Sequence, residues 1–210
     1  MKVWVLADDE QKEELLSFPV DDIIELEWVT DASVHSKKQH ADACIDLLFE
    51  NNPDRVEWLK SLPVSLVVIN SVIDTLGDIH QEFVRINGWN TFLKRPVVEA
   101  ACDDATLRNK TEKLLVHFGR RVEWVPDIAG FITPRVVASI INEAFFALEE
   151  KVSTPEEIDT AMRLGTNYPF GPFEWGKKIG LQKVYSLLAS LSRVQNRYQP
   201  SLLLKQTALA

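Results

Sequence analysis

Cysteine is scarce in this chain, which has only Cys44 and Cys102 among its 210 residues. Two thiols cannot form the disulfide framework of a small secreted domain. Both lie in apolar, strand-like runs, so we expect buried free thiols. The two cysteines and the four histidines show no spacing typical of metal ligands. We therefore predict that the chain has no metal site.

Positive charge is also in short supply. Lysine and arginine number 23 against 31 aspartates and glutamates, for a net charge of -8. The basic residues form only short clusters such as Lys37-Lys38, whereas nucleic acid or an anionic membrane surface requires a larger positive field. No apolar run reaches membrane-spanning length, and no signal-peptide pattern follows Met1. We expect a cytoplasmic protein that binds neither nucleic acid nor membrane.

Glycine is missing from the first turn of the chain. The opening "MKVWVLADDEQKEELL" predicts a strand followed by a helix from about Asp9. Folds that bind dinucleotides carry G-x-G-x-x-G at such a corner, because the backbone approaches the pyrophosphate there. The glycine positions hold Ala7, Asp9 and Lys12 instead. We expect Asp9 to cap the helix and occupy the amides that an anion needs, with Asp8 and Glu10 adding repulsion.

Strand and helix patterns alternate through residues 1–126. Strands separated by helices favour parallel pairing with right-handed crossovers, so we predict a doubly wound, mainly parallel α/β domain. The expected strands are Lys2–Leu6, Ile23–Val29, Ala43–Phe49, Ser65–Asn70, Arg85–Asn90, Val97–Cys102 and Arg121–Val125. The expected helices are Asp9–Ser17, Pro53–Leu62, Asp74–Phe83 and Ala105–Phe118.

The pattern becomes helical from Pro134 onward, and residues 127–210 are predicted to form an all-α domain. One helix begins at "STPEEIDTAM", where Thr154 caps, Pro155 takes the first helical position and Glu157 completes a capping box. Another, "GLQKVYSLLASLSRV", follows the glycine-proline turn "YPFGPFEWG". The chain is thus expected to hold two domains of different class.

Three elements of the helical half carry a family resemblance. They are Asn142-Glu143-Ala144, the "IDTAM" core at residues 158–162 and the "PFGPFE" turn at residues 169–174. In this order and spacing they resemble the C-terminal helical domain of the 3-hydroxyacyl-CoA dehydrogenases, which is like that of 6-phosphogluconate dehydrogenase. The resemblance implies a Rossmann-like NAD domain in residues 1–126, a role in fatty acid metabolism, and a homodimer formed through residues 127–210.

The resemblance also implies candidate catalytic positions. The family uses a histidine in a "GLHFFNP" strand end as its proton carrier, and the glutamate of "KLVE" orients that histidine. The matching stretch "NGWNTFLKRPVVEA" places Asn90 at the histidine and Glu99 at the glutamate. An amide cannot carry a proton at ordinary pH, which predicts that hydride transfer is lost. Ser71 is the candidate for the family's substrate-binding serine, with a shift of one residue.

Three further residues are candidates for cofactor binding. Asp31 lies after the second strand at about the distance expected of a ribose-binding acid. Glu50 and Arg55 match a family glutamate and lysine near the nicotinamide half. Each also has an ordinary structural explanation, with Asp31 capping a turn, Glu50 ending a strand and Arg55 facing solvent on a helix.

Three functions are consistent with these patterns. The first is a catalytically degenerate dimer that binds no NAD and holds a partner, a small molecule or an acyl-CoA in its interdomain cleft. The second is an atypical NAD-dependent 3-hydroxyacyl-CoA dehydrogenase, with the cofactor held through Asp31 and Glu50 and protons moved by Glu99 or His80. The third is an assembly module that uses only the helical half. Titration with NAD or NADH separates the first two.

Overall fold

A computed structural model describes residues 1–30 and 40–210. The chain divides into two compact units, Met1–Phe131 and Ile132–Ala210. We call them the α/β unit and the helical unit. The division lies a few residues beyond the boundary predicted at residue 126, in the segment that follows the last strand.

The α/β unit contains one seven-stranded sheet in the order β2-β1-β3-β4-β5-β6-β7. All neighbouring strands pair in parallel except β5 and β6, which are antiparallel. The predicted doubly wound, mainly parallel sheet is therefore confirmed. The strands are β1 (Lys2–Leu6), β2 (Glu25–Trp28), β3 (Ala43–Asp46), β4 (Val67–Asn70), β5 (Val84–Ile86), β6 (Val97–Ala101) and β7 (Arg121–Trp124).

The strand order reverses around β1, which lies between β2 and β3. In open α/β sheets, ligands bind in the crevice outside the carboxyl ends of the strands at such a reversal. The expected ligand-binding crevice of this unit therefore lies beyond the ends of β1 and β3, near Ala7 and Leu47.

Alternate side chains of each strand point to opposite faces of the sheet, and the described residues of this unit form four helices that pack on these faces. Val3 and Val5 belong to one buried cluster, which also contains Leu15 and Leu114 from two of the helices. Trp4 belongs to a second cluster, which other helices complete. Cys44 and Cys102 are buried free thiols, as predicted. The helices are α1 (Asp9–Leu15), α2 (Pro53–Ser61), α3 (Leu76–Ile79) and α4 (Ala105–Val116).

One predicted helix is much shorter than expected. The sequence pattern predicts a helix over Asp74–Phe83, but α3 spans only Leu76–Ile79. Thr75 begins it with a capping box, and His80 ends it in a left-handed conformation, with φ 56°. A residue in that conformation cannot continue a right-handed helix. The chain then turns directly into β5.

The helical unit holds five α-helices and a short 3₁₀ turn at Asn196–Tyr198. The longest helix, α5, buries one face through Val137, Ile141 and Phe145. Buried Asn142 donates from Nδ2 to the carbonyl of Gln199 and accepts from the amide of Ser201, which ties α5 to the chain before the last helix. The helices are α5 (Thr133–Glu149), α6 (Pro155–Thr166), α7 (Pro172–Ile179), α8 (Leu181–Ser192) and α9 (Leu202–Leu209).

Candidate functional site

The carboxyl ends of the central strands are linked by amide side chains. Gln11 of α1 is buried and donates from Nε2 to the carbonyl of Leu47, which follows β3, at 2.9 Å. Asn70 donates to the same carbonyl at 3.1 Å, and its Oδ1 accepts from the amide of Gly88 at 2.9 Å. A Cβ at position 88 would lie 2.9 Å from Asn70 Cβ, so only glycine fits this close approach. The loops after β1, β3, β4 and β5 are thus joined at the crevice edge.

The first turn of α1 is capped by Asp8 and not by Asp9, so the sequence-based prediction is wrong by one residue. Asp8 has an extended backbone and its carboxylate accepts from the amide of Gln11 at 2.7 Å, while Gln11 Oε1 accepts from the amide of Asp8. Asp9 is exposed and pairs with Lys12. As expected of an acidic cap, an internal carboxylate accepts from an amide in the first turn of the helix.

Glu99 faces Asn87 and not the predicted Asn90. Asn87 Nδ2 donates to Glu99 Oε2 at 3.1 Å, and the main-chain amide of Asn87 donates to the carbonyl of Glu99 at 3.0 Å. Both residues are buried. Asn90 instead donates from its side chain to Glu10 of α1. The structure therefore brings one predicted residue, Glu99, together with a neighbour that the sequence reasoning missed.

A signal for Asn87 is present in the family motif. In "GLHFFNP" the histidine precedes the asparagine by three residues, and in "INGWNT" Asn87 precedes Asn90 by the same interval. Matching the two asparagines without a gap puts Asn87 at the histidine position. In this alignment the residue at the histidine position is again an asparagine, Asn87 in place of the predicted Asn90.

Ser71 is buried in the loop after β4, and its hydroxyl donates to the carbonyl of Asp74 at 2.9 Å. This loop is held by Arg85, a fully buried arginine of β5. Arg85 Nε donates to the carbonyl of Ser71 at 2.9 Å, and another guanidinium nitrogen donates to Asp127. Burial lowers the pKa of Arg85, and its bonds with Asp127 oppose that shift. The hydroxyl of Ser71 thus stabilises the loop that contains it, by donating to the carbonyl of Asp74.

The three cofactor-side candidates are placed very differently. Asp31 lies outside the described residues. Glu50 is exposed after β3. Arg55 of α2 makes a two-pronged ion pair with Asp46, at 2.7 and 2.8 Å, and Asp46 is fully buried at the end of β3. Such paired bonds fix a guanidinium in one plane, so Arg55 anchors α2 to the sheet and does not face solvent.

Neither metal ligands nor membrane spans are found in the described part of the chain. Within residues 1–30 and 40–210, no group of three or more histidine, cysteine, aspartate or glutamate side chains is arranged to hold a metal ion. The helices built by the same residues include none that is long and apolar enough to cross a bilayer. His80 is exposed at the end of α3.

Comparison with known proteins gives one family model and a consistent set of relatives. Residues 130–210 match the model described as 3-hydroxyacyl-CoA dehydrogenase, C-terminal domain. A probable 3-hydroxybutyryl-CoA dehydrogenase of Deinococcus radiodurans is 35% identical over 186 residues, covering 80% of this chain and 66% of that protein. The 3-hydroxyadipyl-CoA dehydrogenase of Escherichia coli is 41% identical over 115 residues, covering 54% of this chain and 24% of that protein.

Solved structures agree in fold. The crystal structure of (S)-3-hydroxybutyryl-CoA dehydrogenase from Ralstonia eutropha has a TM-score of 0.74 and 20% identity, covering 98% of this chain and 92% of that one. Identity at this level shows the fold alone. The chain spans less than two thirds of the length of the curated Bradyrhizobium and Bacillus relatives that it matches, with 64% covered in each.

Proposed function

The chain belongs to the 3-hydroxyacyl-CoA dehydrogenase family, and we propose that it is a member without hydride transfer that acts as a dimeric binding protein. Its proposed ligand class is an acyl thioester of coenzyme A, because the relatives are named for such substrates. The proposal that NAD is not bound is made for this chain alone. Two features of the α/β unit support the loss of hydride transfer and of NAD binding. Two features of the helical unit support the dimer.

The observation that carries the proposal is the contact between Asn87 and Glu99. The family's reaction requires a side chain that takes a proton from a hydroxyl and returns it, a task suited to imidazole near neutral pH. Asn87 presents an amide to Glu99 at 3.1 Å. An amide has hydrogen-bonding groups but no titration in the ordinary pH range. The glutamate then orients a group that cannot act as acid or base.

The acidic turn after β1 supports the loss of dinucleotide binding. A pyrophosphate needs free amides at the helix start and a positive local field. Here the carboxylate of Asp8 already accepts from the amide of Gln11. Asp9 and Glu10 add negative charge to the first turn. Each like-charge contact at about 4 Å costs roughly 1 kcal/mol in water and more where the site is shielded. Lys12 offsets part of this charge but is paired with Asp9.

We predict that the purified chain shows no saturable NADH binding and no turnover of 3-hydroxybutyryl-CoA, while it binds that thioester. Fluorescence titration of NADH and calorimetric titration of the thioester measure the two bindings, and absorbance at 340 nm measures turnover. An active relative is assayed in parallel to show that the substrate, the cofactor and the assay work. Micromolar NADH binding, or turnover above the blank, would establish the dehydrogenase alternative instead.

Two features of the helical unit support a homodimer. Helix α6 has apolar residues at helical spacing, yet it has no buried residue, and Leu164 is 81% exposed. An apolar groove of about 630 Å³ also opens between the other helices. It is lined by Phe145, Leu148, Phe173 and Leu203, with Lys177 at its side. Exposed apolar surface of this kind is typical of a protein interface, and we propose a second copy of the chain as the partner that covers it.

We predict that the chain sediments as a dimer and that Leu164→Glu shifts it toward monomer. The side chain is exposed in the single chain, so the substitution places a charge in the interface without disturbing the helical unit. Sedimentation velocity across a concentration series measures the association. Val116→Glu is the matched control, since Val116 is 60% exposed on α4 of the α/β unit. A monomer at all concentrations, or equal effects of both substitutions, would contradict the proposed interface.

A further inference from the structure

Helix α1 holds the loop of residues 87–95 through two carboxylates. Glu10 and Glu14 lie one helical turn apart on α1. Glu10 accepts from the side chain of Asn90, and Glu14 Oε1 accepts from the main-chain amide of Thr91 at 2.6 Å. Thr91 has a φ of 78°, which is unusual for a β-branched residue. The carboxylate of Glu14 thus supports a strained backbone in a loop whose first seven residues are buried.

Two buried oxygen atoms at this contact have no hydrogen-bond donor. They are Glu14 Oε2 and Asn90 Oδ1. Asn90 directly precedes Thr91, and these two neighbours donate to Glu10 and Glu14, which lie one turn apart on α1. Buried acceptors without a donor are rare and costly in native proteins. A single hydrogen placed between these two oxygens would satisfy both.

The charged groups around Glu14 do not supply that hydrogen. From its own helix, Glu10 adds negative charge, and from the loop Lys94 adds positive charge. Arg120, which follows α4, donates to the main-chain carbonyls of Leu93, Phe118 and Glu14 itself. Arg95 is attracted to both Glu99 and Glu14, and Arg120 is also attracted to Glu14. Burial is the largest influence on Glu14 and raises the pKa of its carboxyl group, while main-chain hydrogen bonds from Thr91 and Leu93 and the charge of Lys94 oppose that shift.

We propose that Glu14 is a neutral carboxylic acid in the folded protein, with the hydrogen on Oε2 donated to Asn90 Oδ1, and that this proton latches α1 to the loop of residues 87–95. The latch is a proton-sensitive element of the α/β unit and does not depend on the proposed function. When Glu14 ionises, the two oxygens repel each other and the hydrogen bond is lost. Ionisation therefore removes one of the links between α1 and the loop, while Glu10 still accepts from the Asn90 side chain and Glu14 Oε1 still accepts from the Thr91 amide.

The direction of the pH effect follows from proton linkage. The pKa of Glu14 is raised in the folded state, so the folded protein binds more protons than the unfolded chain. The stabilisation is therefore complete below the unfolded pKa of about 4.3 and is lost as the pH rises through the folded pKa. Within that window the unfolding equilibrium constant rises by up to about tenfold per pH unit from this one group.

Glu14→Gln is the diagnostic substitution, because a glutamine has the shape of the neutral acid. Its carbonyl accepts from the Thr91 amide and its NH₂ group donates to Asn90 Oδ1. We expect the variant to match the wild type at pH 4 and to lack the pH-dependent loss of stability above it. Urea unfolding of both proteins from pH 4 to pH 8 measures the free energy of unfolding at each pH. Glu13→Gln, at an exposed position on the same helix, is the control and is expected to retain the wild-type pH profile.

Direct titration of the wild type decides the question even if a variant folds poorly. The side-chain carboxyl ¹³C resonance of Glu14 is expected to titrate at a higher pH than those of the other glutamates. A Glu14 resonance that titrates near pH 4.3 would overturn the proposal. It would mean that a bound water or cation supplies the missing donor.

Discussion

Replacing Arg85 with methionine is expected to lower the free energy of unfolding of the α/β unit by about 3–5 kcal/mol. The guanidinium is fully buried and joins the carbonyls of Ser71 and Val72 to the carboxylate of Asp127. Methionine fills much of the volume but leaves these acceptors without a donor. A buried ion pair that loses one partner is strongly destabilised, because the remaining charge stays in a poorly solvated place. The loop after β4 and the segment around Asp127 are expected to loosen together.

Urea unfolding and the hydrogen exchange of β5 amides measure the loss. The matched control is Arg163→Met in the helical unit, where Arg163 pairs with Glu174 at 3.5 Å on the surface. Exposed pairs contribute about 0–1 kcal/mol, so this variant is expected to remain near wild type. A loss below 1 kcal/mol for Arg85→Met would show that the three acceptors find other donors.

The strands were the most predictable part of the fold. Parallel strands buried on both faces read as short continuous apolar runs, and all seven expected strands are present. Their ends are less predictable, as the run from Ala43 to Phe49 contains a strand only up to Asp46. The strand ends where Asp46 turns to bind Arg55, nine residues later. Periodicity cannot show that a buried carboxylate interrupts an apolar run.

The length of α3 was unpredictable for a related reason. The pattern over Asp74–Phe83 is compatible with a helix when only local propensity is considered. In the fold, Asp127 accepts from the amide of Leu76 and also binds Arg85, so a residue distant in sequence fixes where α3 begins. Such tertiary contacts override local propensity, and a single sequence does not reveal them.

The site residues show the same contrast between what the local sequence predicts and what tertiary contacts decide. Glu99 was identified from its motif, but its partner was not, because the partner is chosen by the antiparallel pairing of β5 and β6. That pairing continues past β5 and places the Asn87 amide against the Glu99 carbonyl. The cap of α1 was displaced by one residue for a local reason, since Asp8 keeps an extended backbone and the helix starts after it. Candidate residues can thus be named from the sequence, whereas their hydrogen-bond partners depend on strand pairing and cap geometry that the sequence does not reveal.

Replacing Gly171 with alanine is expected to destabilise the helical unit by about 3 kcal/mol or more. A Cβ at this position would lie 2.3 Å from Asp159 Cβ and 2.5 Å from Asp159 Cα, so the chain must move apart. Asp159 of α6 accepts from the amides of Phe173 and Glu174 at 2.8 and 3.0 Å, and thereby caps α7. Gly171 has no side chain to serve as that cap. The added methyl group therefore combines overpacking with the loss of charge-assisted hydrogen bonds.

Gly165→Ala is the control for this prediction and is expected to change stability in the opposite direction. Gly165 lies on α6, and a Cβ there meets no atom within 4 Å. Alanine within a helix is favoured over glycine by roughly 0.5–1 kcal/mol. Urea unfolding followed by circular dichroism at 222 nm compares the two variants. Equal effects would mean that α6 does not pack against the turn at Gly171. Opposite effects would explain physically why the "IDTAM" and "PFGPFE" elements occur together, since the aspartate of the first caps the helix that the second begins.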